Sequence, residues 1–153
     1  MQPATFTSFM AEALTLAEQA QKMGEVPVGA VVVKQGKIIG KGHNQPRTIR
    51  DPSAHAEILA IRDAALWVEN YRLSGLILYV TLEPCTMCAG AISNARIERV
   101  VFGASDPKGG AVENGVRFFD SPACHHRPEV TGGILAEECS SILKAFFKAR
   151  RKK

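Results

Sequence analysis

No run of about 18 or more apolar residues occurs in this 153-residue chain, which excludes a membrane-spanning helix. A basic leader with an unbroken apolar core is also missing. Glu12 and Glu18 interrupt the apolar residues near the N-terminus, so a cleaved export signal is not expected. Cysteine is scarce. Of the four present, Cys85 and Cys88 form a CxxC pair, which in a chain without an export signal predicts a metal or redox site in a reducing cytoplasm. Acids are absent from the last ten positions, which hold Lys144, Lys148, Arg150, Arg151, Lys152 and Lys153; taking those six from 19 bases leaves 13 against 15 acids. The formal charge of +4 is therefore a property of the tail. The rest of the composition, 46% hydrophobic and 22% charged, is that of a soluble globular domain, and it excludes disulfide miniproteins, collagen-like repeats and disordered chains.

Apolar residues at helical spacing over 6–23, among them Phe6, Met10, Ala13 and Ala17, predict an amphipathic first helix ended by Gly24. A β-branched run over 26–33, the Gln35-Gly36 turn and a second strand over 37–42 predict a hairpin. Asp51-Pro52 has the form of an N-cap followed by a first-turn proline, opening a helix to Val68. A buried strand over 76–81, a short helix over 85–94 and a strand over 99–102 follow. Residues 104–128, rich in Gly, Asp, Pro and His, read as loops with one helical turn. A final amphipathic helix covers 134–151, with Cys139 on its apolar stripe as a small core residue. Helices alternating with strands, without a linker or an internal repeat, predict one three-layer α/β domain over 1–153 with a central mixed sheet.

The chemistry lies in His55-Ala56-Glu57 and Pro84-Cys85-Thr86-Met87-Cys88, each near a predicted helix start. Cys85 and Cys88 share a helical face, and thiolates near a helix N-terminus are favoured by its dipole. His55 supplies a third ligand. One His and two Cys leave the fourth tetrahedral position of a zinc ion to water, which marks a catalytic site. Positions two apart on a helix diverge by about 200°, so His55 and Glu57 meet at one ion only if it sits beyond the helix end. The Glu57 carboxylate then reaches the water, and the reaction class is metal-assisted hydrolysis. Two alternatives remain: a buried or redox CxxC, and a closed structural zinc site with Cys124, His125, His126 or Cys139 as fourth ligand.

In these residues the chain resembles the zinc-dependent cytidine and deoxycytidylate deaminase superfamily, with its His-x-Glu and Pro-Cys-x-x-Cys signature, and more narrowly the bacterial tRNA-specific adenosine deaminases. The likeness extends to Glu25-Val26-Pro27-Val28-Gly29-Ala30, His43-Asn44-Gln45-Pro46, Asn70-Tyr71-Arg72-Leu73, Tyr79-Val80-Thr81-Leu82-Glu83 and Arg99-Val100-Val101-Phe102-Gly103-Ala104. It implies a cytidine-deaminase-like α-β-α domain with a five-stranded sheet, one zinc per subunit held by His55, Cys85 and Cys88, and Glu57 as proton shuttle. It also implies hydrolysis of the 6-amino group of the wobble adenosine (position 34) of a transfer RNA, in a cytoplasmic homodimer that binds the anticodon stem-loop. Val28, Asn44 and Ala54 would then flank the base, with Asn44 hydrogen-bonding the nucleoside, while Asp106 and Lys108 would contact RNA nearby.

The tail has two readings. A basic chain end is ordinarily a solvated terminus that complements the helix dipole. Phe146 and Phe147 beside Arg150 and Arg151 instead suit single-stranded bases and phosphates. A deaminase of a free base or nucleotide, of guanine or cytosine type, and a non-catalytic nucleic-acid-binding module with structural zinc are the competing functions.

Overall fold

Val31, Val32 and Val33 sit in a strand whose alternate side chains are buried on opposite faces, and this decides how the layers stack. The computed structural model describes residues 3–151, and the side chains of 5–150. Its elements run α1 (Pro3–Lys22), β1 (Gly29–Lys34), β2 (Lys37–His43), α2 (Ala56–Val68), β3 (Ile77–Leu82), α3 (Thr86–Asn94), β4 (Arg99–Ala104), a 3-10 turn (Phe118–Asp120), β5 (Glu129–Thr131) and α4 (Ala136–Arg151). The sheet order is β2-β1-β3-β4-β5, with β1 antiparallel to both neighbours and β3, β4 and β5 parallel. Ala30, Val32, Leu78, Val80, Val100 and Phe102 face α2 and α3, while Val31, Val33, Tyr79 and Val101 face α1 and Cys139 of α4. The result is a single α/β domain with a mixed five-stranded sheet between helices. Among the described residues, no helix is long and apolar enough to cross a membrane.

The hairpin forms where its turn chemistry places it. Gln35 and Gly36 both have positive φ, 48° and 78°, the arrangement of a type I′ turn whose twist matches the strands. Residues 26–28, expected as the start of the first strand, instead form a tight turn in which the Val28 N–H donates to the Val26 carbonyl. Four strands were legible from apolar runs. The fifth has only three residues and its middle one, Val130, is 38% exposed, so it carries no apolar signature.

α2 begins at Ala56, not at Asp51-Pro52. The Asp51 carboxylate accepts the Ser53 N–H at 2.9 Å and the Ser53 hydroxyl at 2.7 Å, closing a local turn that precedes the helix. α4 likewise begins at Ala136, two residues later than expected, because Leu135 lies in the left-handed region at φ 54°. α2 packs on β2 through small residues. Ala56, Ala60 and Ala64, all fully buried, lie over Gly40 and Gly42, where an added Cβ would come within 2.5 Å of the Ala60 carbonyl oxygen and 2.4 Å of the Ala56 carbonyl oxygen. Two glycines and an alanine stripe thereby set the depth at which the first turn of α2 rests on the sheet.

Candidate metal centre and active site

β3 ends at Leu82 and the chain continues through Glu83 and Pro84 to Cys85, the N-cap of α3. The loop after β2 ends at His55, the N-cap of α2. Both caps have extended backbone and neither side chain caps its own helix, which leaves His55 and Cys85 aimed across the gap. The first α2 amide is satisfied from outside, since Asn44 Oδ1 accepts the Ala56 N–H at 2.8 Å. His55 therefore stands before the helix and Glu57 in its first turn, so the 200° divergence expected of two helical positions does not arise.

His55 Nδ1 lies 3.5 Å from Cys85 Sγ and 3.5 Å from Cys88 Sγ, and the three atoms fall within 4.8 Å of one another. Metal–nitrogen and metal–sulfur bonds of about 2.0 and 2.3 Å at a tetrahedral angle put N and S about 3.5 Å apart. The donor set thus fits a small tetrahedral cation. Cys124, His125 and His126 are not part of it: His126 Nε2 pairs with the Ile97 carbonyl at 2.7 Å, and Cys124 Sγ donates to the His126 carbonyl. Cys139 is buried on the sheet-facing side of α4, as expected of a core residue.

The electrostatics follow from burial and sulfur. A hydrogen bond from Cys88, joined by one from His55 and opposed by burial, holds Cys85 down at about 4. The bond to Cys85 and burial push Cys88 far above the ordinary thiol range. The Cys85 bond raises His55. Glu57 is 4% exposed, and burial, helped by the charge on Cys85, pushes it up to about 7.

These groups open onto a cavity of about 240 Å³ lined by Val26, Val28, Asn44, Leu82, Glu83, Asp106 and Gly109. Through Val26, Leu82, Asp106 and Gly109 it adjoins a larger cavity of about 710 Å³, whose far wall includes Lys108, Leu143, Phe147 and Arg150.

The family model described as MafB19-like deaminase matches residues 5–151. A tRNA-specific adenosine deaminase of Agrobacterium fabrum is 53% identical over 145 residues, 95% of this chain and 95% of that protein. Another, from Haemophilus influenzae, is 55% identical over 143 residues, 93% of this chain and 83% of its own length. The chain belongs to the tRNA-specific adenosine deaminase family. A solved structure from work on A-to-I editing by tRNA:A34 deaminases superposes with a TM-score of 0.88 at 54% identity, covering 90% of this chain and 99% of that one.

Of the candidate site residues, the structure brings Val28, Asn44, Asp106, Lys108, Phe147 and Arg150 to the two cavities and leaves Ala54 and Phe146 off them. Ala54 is fully buried, with its N–H donated to the Asp51 carbonyl and its own carbonyl accepting the Gln45 N–H, so it offers no backbone donor to a base. Phe146 is 8% exposed and packed beneath Arg150, whose guanidinium lies 4.6 Å from its ring, whereas Phe147 is 42% exposed at the larger cavity. Two successive helical positions diverge by about 100°, so one ring is inward and the other outward. Arg150 also donates to the Gly24 carbonyl, tying α4 to the end of α1. The Arg151 side chain, Lys152 and Lys153 lie outside the described residues.

Two residues without an expected role stand out. Glu25 and Glu83 are each 2% exposed. Glu25 Oε2 accepts the N–H and hydroxyl of Thr48, both at 2.7 Å, bracing the loop that carries Asn44. Glu83 braces the opposite wall. In the sequence both lie in segments that carry the family resemblance, each as an acidic residue in an otherwise apolar stretch with no role assigned to it.

Proposed function

We propose that this protein deaminates adenosine to inosine at wobble position 34 of transfer RNA by hydrolysis, with zinc held by His55, Cys85 and Cys88 and Glu57 as general acid and base. The observation that carries this reading is the placement of a buried carboxyl beside a His-Cys-Cys donor set, opening onto a cavity of about 240 Å³. Zinc, when bound, supplies the acidity that makes water nucleophilic at neutral pH.

The chain's own residues do the rest. Glu57 takes a proton from the water that attacks C6 and returns it to the departing amino group, so that inosine and ammonia leave. Burial favours the protonated form of Glu57, which helps it hold the proton between the two transfers. Asn44 spends its Oδ1 on Ala56, which leaves its amide hydrogens to the nucleoside and fixes their direction. Val26, Val28 and Leu82 form apolar walls that displace water from around the base. Lys108, Phe147 and Arg150 around the larger cavity suit the phosphates and bases next to the flipped nucleotide. The same reading makes the protein a cytoplasmic homodimer with one zinc per subunit.

The test is to incubate zinc-loaded protein with total transfer RNA and locate inosine by sequencing. Position 34 of a small set of transfer RNAs is the expected outcome, with binding to an anticodon stem-loop that weakens steeply with salt. Turnover of a free base, with RNA binding insensitive to salt, would refute it. The Glu57→Gln variant is expected to keep its zinc and lose at least about 10²-fold in deamination rate; undiminished activity would remove Glu57 from the mechanism.

A further inference from the structure

Glu83 gathers six hydrogen-bond donors, all of them from one chain segment, 105–114, whose first half supplies Ser105, Asp106, Lys108 and Gly109 to the cavities beside the metal centre. Oε1 accepts the Asp106 N–H at 2.9 Å, the Ser105 hydroxyl at 3.3 Å and the Asn114 Nδ2 amide at 2.7 Å. Oε2 accepts three successive backbone N–H groups, Val112 at 3.0 Å, Glu113 at 2.8 Å and Asn114 at 3.0 Å, which together form a backbone anion nest. None of the ion pairs among the described residues includes Glu83, so amides and hydroxyls alone offset its charge.

The tie is built to be close. A Cβ at Gly110 would fall 2.5 Å from Glu83 Cδ, so only glycine lets the loop wrap the carboxylate there. The Ala111 N–H donates to the Pro84 carbonyl at 2.9 Å, a second stitch to the residue before Cys85. Order then passes inward, because Asp106 Oδ1 accepts the N–H groups of Lys108 and Gly109, and Asp106 and Gly109 line both cavities.

We propose that Glu83 is a positioning residue for the deamination. Its carboxylate ties segment 105–114, whose residues Ser105 to Gly109 form one wall of the nucleotide cavity, to the chain just before Cys85, so that base and metal centre share one frame. The proposal rests on the reading of the cavity given above as the substrate site. The negative charge is essential to it. A glutamine has the same shape but turns one acceptor into a donor pointed at other donors, which leaves part of the nest without an acceptor.

The test compares the zinc-loaded wild type with Glu83→Gln and Glu83→Asp. In Glu83→Gln, zinc per chain stays at the wild-type level and amide exchange at Asp106, Val112, Glu113 and Asn114 accelerates at least about tenfold, while the β1–β2 hairpin is unaffected. On an anticodon stem-loop, KM rises by about tenfold or more, and by more than kcat falls. Glu83→Asp, which keeps the charge on a shorter stem, falls between the two in both measurements. Unchanged exchange overturns the proposal, as does unchanged KM. So does loss of zinc with exchange unaltered, which would make Glu83 a support of the metal instead. If Glu83→Gln does not fold, Asn114→Ala removes the 2.7 Å side-chain donor and leaves the backbone nest. The same amides must then exchange faster, and no acceleration again overturns the proposal. Absence of inosine with the wild type would overturn the substrate reading alone, since amide exchange is read without RNA.

Discussion

Gly42→Ala adds one methyl group to β2 and should displace the start of α2, which carries Glu57. Gly42 has ordinary strand backbone, so alanine meets no conformational barrier there and its effect is one of space. The new Cβ would lie 2.4 Å from the Ala56 carbonyl oxygen, 2.6 Å from the Ala60 nitrogen and 2.9 Å from Leu59 Cβ. The first two are backbone atoms of α2 and cannot rotate away. Moving from 2.4 Å to the 3.0 Å below which such contacts essentially do not occur shifts the start of α2 by about 0.6 Å. Overpacking of this kind costs about 1–3 kcal/mol. Ala56 lies between His55 and Glu57, so the shift reaches both. If a displacement of about 1 Å costs on the order of 10²-fold in rate, this one should cost about tenfold or more in kcat.

The assay pairs urea unfolding with zinc content and kcat on an anticodon stem-loop. Gly36→Ala is the control: with φ at 78° and nothing within 4 Å of its added Cβ, it strains the hairpin turn and touches nothing else. It should lose about 1–2 kcal/mol of stability and keep its activity per folded molecule. A Gly42→Ala protein with full zinc and kcat within about twofold of wild type would refute the reasoning.

Three shorter predictions follow from the same geometry. Removing the metal with a chelator should abolish deamination and expose Cys85 to thiol reagents first, because it is the more acidic of the pair; equal labelling of Cys85 and Cys88 would contradict the assignment. Arg150→Ala removes the ring contact with Phe146 and the bond to Gly24, and should lower stability by about 0.5–1 kcal/mol in urea; an unchanged midpoint would show that the tether contributes nothing. Hydrogen bonds from Ser53 lower the Asp51 pKa, so the stability this carboxylate contributes is complete above its ordinary pKa and is lost only as pH falls through its lower folded value. Carboxyl NMR titration should find its midpoint below 3.8; one at or above that value would mean the turn does not favour the anion.

The short intervals His55 to Glu57 and Cys85 to Cys88 were enough to pick out the His-Cys-Cys cluster and the carboxyl beside it, because each leaves few ways to arrange its side chains. Apolar periodicity similarly marked both helix faces and four strands, and Gln35-Gly36 marked its turn. Asp51-Pro52 misled because an N-cap signature states only that the carboxylate will hold a nearby amide. Here it holds Ser53, and the amide at the true helix start is taken by Asn44, 12 residues earlier.

What the amino-acid order determined by itself was therefore local: which residues could bind a cation, the four longer strands and the four helices but not every start, and that the positive charge sits at one end. Tertiary structure alone decided which neighbour of a pair faces inward, as with Phe146 and Phe147, and how close α2 comes to the sheet. It also decided that Glu25 and Glu83 hold the two loops beside the cavity. The physical reason is that those two carboxylates bind mainly backbone N–H groups distant in the chain, and every residue but proline carries one.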